Sequence, residues 1–263
     1  GAMTWTSNPC VPNQVYLVEP DGSGDYATIQ EAVAAAWAGD TVSLADGIFS
    51  GEGNRDIAFL GMDIVVRAES RDPHACIVDA AGGAGFIFSL SEPRTAQLRD
   101  ITIRNAEDTG VRCSGGVAPT ITGCIIERCT GLQAGGAACD ASSPLFEECT
   151  FVENSSIVGG ILCSSSPAPD ISSCTFHANA NESGSYGCIS SLDGAALTVE
   201  SCIITGTVGG SGVHGGPPTV TCTDIFGNEG GDWTGDIADD LGVNGNISAP
   251  PLFCDGYTGD FTL

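Results

Sequence analysis

A length of 263 residues, 42% hydrophobic and 16% charged, indicates a folded protein of one or two domains rather than a disordered chain. The formal net charge is −25, lysine is absent, and all eight basic residues are arginines before residue 129. Nucleic acid is therefore excluded as a partner, because phosphate binding needs clustered Lys and Arg, and no apolar run is long enough for direct insertion into a membrane.

The two ends of the sequence indicate a piece of an exported protein. Gly1-Ala2-Met3 lacks the basic and apolar regions of a signal peptide, and we interpret it as an artificial N-terminus that replaces an export signal. Phe261-Thr262-Leu263 stops on a strand-like alternation, which predicts further sequence in a longer parent protein. The 13 cysteines favour an oxidising compartment, so we expect an extracellular or cell-surface location.

The first predicted element is a helix over residues 28–38. Thr28 and Glu31 form a capping box, in which each side chain accepts a hydrogen bond from a free backbone N–H of the first turn. Val33 and Trp37 share one apolar face of this helix. Because the end of a stack of strands leaves apolar surface and strand edges open, we expect the helix to cap it.

Further along, the sequence repeats with a period near 25 residues. Apolar and polar residues alternate within each repeat, as in Cys149-Thr150-Phe151, and this is the period of a β-strand. Clusters of Gly, Ser and Pro separate the strands as turns. Leucine-rich and helical repeats are excluded because their signatures are missing. Two columns follow the period: Ile101, Cys124, Cys149, Cys174, Cys202 and Cys222, and then Cys113, Cys139, Cys163 and Cys188.

The repeat predicts one all-β domain over residues 1–263, a right-handed parallel β-helix (solenoid) with a short N-terminal capping helix. Residues 1–45 are the predicted N-terminal cap, residues 46–228 the coils, and residues 229–263 a C-terminal coil or cap that is truncated here. Because strands of one column lie about 4.8 Å apart, each column of cysteines is expected to stack along the solenoid.

The cysteines allow two interpretations. Stacked side chains of a parallel ladder point the same way, which opposes bridging, so we expect mostly buried thiols that fill the core. The alternative is disulfides between coils, for which Cys10, Cys76, Cys129 and Cys254 are the better candidates because they lie outside the columns. Metal binding by cysteine is excluded, since a spacing near 25 places the ligands in a line rather than a tetrahedron.

Several segments carry a family resemblance. DGSGDYATIQEAV at residues 21–33, followed by GDTVSL at residues 39–44, resembles the N-terminal cap of pectin-lyase-like β-helices, pectin methylesterases especially. The coils are similar to those of bacterial secreted β-helix repeat proteins, as are the segments at residues 227–233 and 242–254. The resemblance implies the fold, which hosts many functions. It does not imply esterase activity, because Asp224-Ile-Phe-Gly-Asn228 is one residue short of the catalytic strand of that family and no arginine follows residue 128.

Lyases of this fold bind calcium through outward carboxylates and use a basic residue as the base. The strand alternation places Arg104, Glu127, Val152, His177 and Thr205 on one outward column. Arg104 and Glu127 would form a pair one coil apart, and His177 would offer a base of suitable pKa. For these three catalytic candidates the alternative is a surface ion pair and a solvated histidine.

The segment at residues 232–240 is the predicted cation site. Carboxylates at flexible, glycine-containing spacing can wrap calcium, and the alternative is a solvated acidic loop. Trp233, within this segment, would either stack on a sugar ring or cap the last coil. The four candidate calcium ligands are Asp232, Asp236, Asp239 and Asp240.

Two functions follow from these features. The first is a non-catalytic extracellular module, structural or binding a glycan or a cell-surface partner, within a larger secreted or cell-surface protein. The second is a polysaccharide-acting enzyme, a lyase or hydrolase, on an outward face of the solenoid. The absence of basic residues after residue 128 favours the first. An enzyme also needs outward acids and aromatic residues clustered in one groove, whereas a spacer does not.

Overall fold

The computed structural model describes residues 13–254 and residue 261. Within them the chain winds into a right-handed parallel β-solenoid of about 8 turns, which confirms the predicted fold. Each full turn contributes one strand to each of three sheets, always in the same order. Gly1-Ala2-Met3, Thr262 and Leu263 lie outside the described residues.

The three sheets contain nine, eight and seven strands, and all neighbouring strands are parallel. The first sheet comprises Val15–Val18, Thr41–Leu44, Val65–Ala68, Gln97–Arg99, Thr120–Thr122, Leu145–Glu147, Asp170–Ser172, Thr198–Glu200 and Thr219–Thr221. The second comprises Gly47–Ser50, Cys76–Asp79, Thr102–Arg104, Ile125–Glu127, Thr150–Val152, Thr175–His177, Ile203–Thr205 and Asp224–Phe226. The third comprises Ile57–Ala58, Phe86–Phe88, Val111–Ser114, Ala137–Asp140, Ile161–Ser164, Gly187–Leu192 and Ser211–His214. Ser155–Ser156 and Ala180–Asn181 form a fourth, two-stranded sheet.

The predicted helix is present but spans Ile29–Ala35 rather than 28–38. Thr28 is its N-cap, and the Thr28 hydroxyl accepts a hydrogen bond from the Glu31 N–H at 3.2 Å. Val33 is fully buried against the first turns of the solenoid. The first sheet already begins at Val15–Val18, so stacked strands start inside the segment predicted as the cap.

The prediction that Trp37 shares the buried face of the helix is wrong, since this side chain is 67% exposed. The buried carboxylate of Asp40 accepts hydrogen bonds from the Trp37 N–H and the Gln14 N–H, both at 2.8 Å. These bonds hold the chain in a turn directly after the helix. The helix therefore ends before it reaches Trp37.

Two of the corners in each turn, one on either side of the second sheet, carry a residue with positive φ in nearly every turn. Between the first and second sheets these residues are Asp100, Gly123, Glu148, Ser173, Ser201 and Cys222. Between the second and third sheets they are Asn105, Arg128, Glu153, Ala178, Gly206 and Gly227. The residue that follows each corner points into the core, so each corner produces one inward column.

The first corner produces the predicted cysteine ladder. Cys124, Cys149, Cys174 and Cys202 are buried in successive turns, and each thiol donates to a backbone carbonyl of the turn before it, which confirms the predicted stack. Cys222 does not continue it. It is exposed because it occupies the corner position itself, with φ 49°, and the buried Thr223 takes the inward place.

The second cysteine column is confirmed only in part. Cys113, Cys139 and Cys163 are in register on the third sheet, but Cys163 pairs with Ser191 and not with Cys188. The turn between them is longer than the 25-residue period, so the spacing misplaces the next strand. Cys188 instead lies beside Gly160, in a column that glycines fill in the preceding turns.

All twelve cysteines of the described residues are free thiols. The disulfide prediction is therefore wrong for Cys76 and Cys129, which are buried, and for Cys254, which is exposed; Cys10 lies outside the described residues. Burial raises the pKa of Cys76 to about 12, as it does that of Cys129. The thiols behave as small apolar side chains, and this agrees with the core-filling interpretation.

An asparagine ladder follows the second corner. Asn154 and Asn179 are fully buried, and the Asn179 carboxamide oxygen accepts hydrogen bonds from the backbone N–H and the side-chain nitrogen of Asn154 at 3.1 and 3.0 Å. The Asn179 nitrogen donates to the Phe151 carbonyl at 2.8 Å. Asn228 occupies the same column in a later turn. The ladder satisfies backbone groups that the corners remove from the strand pairing.

The C-terminal end of the solenoid is closed by apolar residues. Ile237, in the short 3-10 helix Gly235–Ile237, is buried, and Trp233 packs against the same core. The Trp233 indole N–H donates to the Ile247 carbonyl at 3.1 Å. This contact supports the capping interpretation of Trp233. No helix in the part of the chain that the structure describes is long and apolar enough to cross a membrane.

Candidate functional site

The outward column of the second sheet contains the predicted catalytic candidates. The register pairs Arg104 with Glu127, Glu127 with Val152, Val152 with His177, and His177 with Thr205. The predicted column is therefore confirmed, with one residue contributed by each turn. Because successive strands are about 4.8 Å apart, Glu127 and His177 lie two strand spacings from each other.

The charges on this column are paired differently from the prediction. The Arg104 guanidinium donates from Nε to Asp79 Oδ2 at 3.0 Å, and both side chains are mostly buried, with 24% and 18% exposure. Glu127 forms its ion pair with Arg128, its neighbour in sequence. The predicted Arg104–Glu127 ion pair is absent from the described residues. Asp79, on the strand below, competes successfully for Arg104.

His177 is enclosed by aromatic side chains. Its imidazole lies 5.8 Å from the Phe253 ring and 5.4 Å from the Phe261 ring, centroid to centroid. Burial lowers the pKa of His177, and the nearby Glu153 carboxylate opposes this shift. The His177 Nδ1 atom is buried and makes no hydrogen bond to any described residue. No carboxylate, hydroxyl or thiol is therefore poised there for proton transfer with this nitrogen.

The four predicted calcium ligands are not brought together. Asp232 Oδ1 accepts hydrogen bonds from the backbone and side-chain nitrogens of Asn228, at 2.8 and 2.9 Å, so it caps a turn. Asp236 lies in the short 3-10 helix, and Asp239 and Asp240 follow it. Over residues 13–254 and 261, no three His, Cys, Asp or Glu side chains are grouped to hold a metal ion. Calcium binding by this segment stays a prediction.

A groove of about 210 Å³ lies on the outer side of the third sheet, where the sequence predicts no site. Its polar wall contains the ion pair between Asp108 Oδ2 and Arg112 Nη2, at 2.5 Å. Gln133 lines it as well, and Leu132 projects into solvent with 85% exposure. The groove thus combines a charged pair, a carboxamide and an exposed apolar side chain.

The wall of this groove is held by a second, small apolar cluster outside the solenoid. Ala134, Val158 and Leu162 are its buried members, and Tyr186 packs against them. Ala134 and Val158 form an isolated parallel β-bridge. The sequence offers one signal for this cluster: Leu162 is apolar at an outward strand position. Such a residue needs a covering element that the repeat does not reveal.

The solenoid is similar to solved structures of polysaccharide-acting enzymes. It matches the pectate lyase Pel9A with a TM-score of 0.56 at 14% identity, over 82% of this chain and 64% of that one, so the chain spans less than two thirds of the lyase. It matches a pectin methylesterase from carrot with a TM-score of 0.50 at 16% identity, over 86% and 79% of the two chains. Identities this low show a shared fold alone.

Comparison at the sequence level gives a family but no individual relative. No curated protein sequence matches the chain significantly. The model of the right-handed beta helix region matches residues 65–225, which is more than half of the chain and includes the cysteine ladder and, from the asparagine ladder, Asn154 and Asn179. The chain therefore belongs to the right-handed β-helix family.

Proposed function

We propose that this chain is a non-catalytic extracellular module that binds a glycan, as part of a larger secreted or cell-surface protein. The observation that carries the proposal is that each predicted catalytic residue, although on one column, is occupied by another partner. Arg104 is neutralised by Asp79, Glu127 by Arg128, and His177 is covered by Phe253. A general acid or base must lie within hydrogen-bond reach of the group with which it exchanges a proton, and among the described residues no two of these three side chains are hydrogen-bonded to each other.

The groove on the third sheet is the proposed binding site. Carbohydrate recognition needs polar groups for the hydroxyls of a sugar and an apolar surface for its C–H face. Asp108, Arg112 and Gln133 offer the polar groups, and Leu132 offers the apolar surface. At about 210 Å³ the groove is smaller than the usual ligand pocket of roughly 300–1,000 Å³, so it suits one sugar unit of a chain that extends into solvent.

The negative net charge of the chain favours a neutral glycan over an acidic one as the ligand. A net charge of −25 repels a polyanionic chain at long range, and the charged pair in the groove is internally neutral. We therefore propose a neutral glycan as the ligand of this groove. The partner is held by hydrogen bonds and apolar contact, and added salt should change its affinity little.

The test is a panel of neutral and acidic oligosaccharides, with binding measured by calorimetry and product release by mass spectrometry on the same samples. The proposal expects binding of a neutral oligosaccharide without new products. Leu132→Asp and Gln133→Ala should each weaken binding at least about fivefold, since each removes one contact of about 1 kcal/mol. Leu241→Asp is the matched control, an exposed leucine of the C-terminal segment whose substitution should leave binding unchanged.

The outcomes separate the alternatives. Release of cleaved or unsaturated products by the wild-type chain would overturn the non-catalytic assignment and favour a lyase or hydrolase. Failure of every oligosaccharide to bind would overturn the glycan assignment and leave a structural role. Binding that survives Leu132→Asp would move the site away from the groove on the third sheet.

A further inference from the structure

Two arginines are stacked on the outer face of the first sheet, although the chain as a whole has a net charge of −25. Arg67 and Arg99 are direct register partners in the strands Val65–Ala68 and Gln97–Arg99. Register partners of a parallel sheet point to the same side and lie about 4.8 Å apart at their Cα atoms. Both side chains are partly exposed. Two positive charges are thus held side by side at the surface.

Neither arginine has a counter-charge among the described residues. The four ion pairs of residues 13–254 use Arg94, Arg104, Arg112 and Arg128 instead. Arg67 Nη1 donates to the Ala68 carbonyl at 2.9 Å, and Arg99 Nη1 donates to Gln97 Oε1 at 3.4 Å; both acceptors are neutral.

The donors of the pair are also incompletely used. Arg99 Nε is buried and has no hydrogen-bond partner among residues 13–254 and 261, although a guanidinium offers five N–H donors. An unmade hydrogen bond at a buried, charged donor costs more than one at a neutral group.

The composition makes this arrangement informative. The chain has 33 acidic residues against eight arginines, and of those acids only Asp255 and Asp260 lie outside the described residues. The adjoining positions of the same column are nevertheless neutral: Ser43 pairs with Arg67, and Thr122 pairs with Arg99. Like charges one coil apart repel each other, and an acid at either neighbouring position would relieve this repulsion.

We propose that Arg67 and Arg99 form a binding site for a ligand's oxyanion group, a carboxylate or a sulfate ester. Two guanidinium groups present parallel N–H donors that match the oxygens of such a group, and the anion supplies the missing counter-charge. The Gln97 and Thr122 side chains border the site with neutral polar groups. The site is on a different sheet from the proposed glycan groove, so the inference goes beyond that function and does not depend on it.

The test uses the arginine Nε–Hε signals in ¹H–¹⁵N NMR spectra of the intact chain, which has eight arginines. Sodium methyl sulfate and sodium acetate, which both supply a monovalent anion, are titrated separately at constant ionic strength, with chloride as the balancing anion. The Arg67 and Arg99 signals should shift and saturate, whereas those of Arg71, which is exposed and forms no ion pair with the described residues, should not saturate. Tighter binding of methyl sulfate than of acetate would assign a sulfate ester; the reverse order would assign a carboxylate.

Variants connect the signals to the site. Arg99→Gln should abolish saturation at Arg67, and Arg67→Gln should abolish it at Arg99. Arg99→Lys retains the charge but not the planar fork and should weaken binding about tenfold. Arg71→Gln is the matched control and should change nothing. The proposal is overturned if both anions shift Arg67, Arg99 and Arg71 alike, or if Arg99→Gln, folded by its backbone spectrum, still saturates at Arg67. Oligosaccharide binding in the groove is expected to survive all these substitutions.

Discussion

The asparagine ladder gives the sharpest test of how the corners are stabilised. Asn179→Ala removes the carboxamide that connects one turn to the previous one. It deletes the bonds that the Asn179 side chain makes with the Asn154 N–H, the Asn154 side-chain nitrogen and the Phe151 carbonyl. All of these groups are buried, so water cannot replace the lost partner at low cost.

The expected loss of stability follows from this inventory. The Asn154 N–H makes no other hydrogen bond within the described residues, and an orphaned buried donor costs about 1–3 kcal/mol. The other two groups lose one bond each, at roughly 0.5–1.5 kcal/mol per bond. The free energy of unfolding should therefore fall by about 2–6 kcal/mol, a large part of the 5–15 kcal/mol typical of a folded domain.

The assay is urea unfolding followed by circular dichroism, with the slope compared between variants to check that the same surface unfolds. Ser172→Ala is the matched control: Ser172 is a partly exposed, outward residue of an earlier strand, and its hydroxyl makes no hydrogen bond to the described residues. That control should cost less than about 0.5 kcal/mol. If Asn179→Ala is no more destabilising than Ser172→Ala, the ladder does not stabilise the corners as argued.

Three further predictions concern the thiols, the histidine and calcium. Native-state labelling should modify the exposed Cys222 and spare Cys149, because burial raises the pKa of the Cys149 thiol; rapid labelling of Cys149 without denaturant would contradict its position in the core. Burial lowers the pKa of His177, so the unfolded chain binds a proton at this residue more readily, and stability is lost as the pH falls below about 6.5. His177→Gln should remove that part of the pH dependence of the urea midpoint. An unchanged pH dependence in His177→Gln would refute this role of His177. If the loop at residues 232–240 binds calcium, millimolar calcium should raise the melting temperature, and Asp239→Asn combined with Asp240→Asn should abolish the rise; a melting temperature that calcium leaves unchanged would remove the site.

Much of the fold was predictable because it depends on local patterns that recur in every turn. The alternation around Cys149 and the 25-residue period were sufficient to predict the solenoid, the cysteine ladder and the outward column through Arg104, Glu127 and His177. A β-strand fixes which side chains share a face, and a constant period carries that assignment from one turn to the next. The capping role of Thr28 is local in the same way.

The sequence by itself therefore determined the architecture of this protein, whereas its possible sites were decided by contacts between turns. The period fails where a turn changes length, so the places of Cys188 and Cys222 became clear only from the strand register. Two acids on neighbouring strands, Asp79 and Glu127, compete for Arg104, and it pairs with Asp79. The strand alternation predicts which residues share the column but not which of the two acids forms the ion pair. The groove beside Leu132 and the stacked arginines likewise depend on which surfaces other parts of the chain cover, and that is a property of the folded molecule alone.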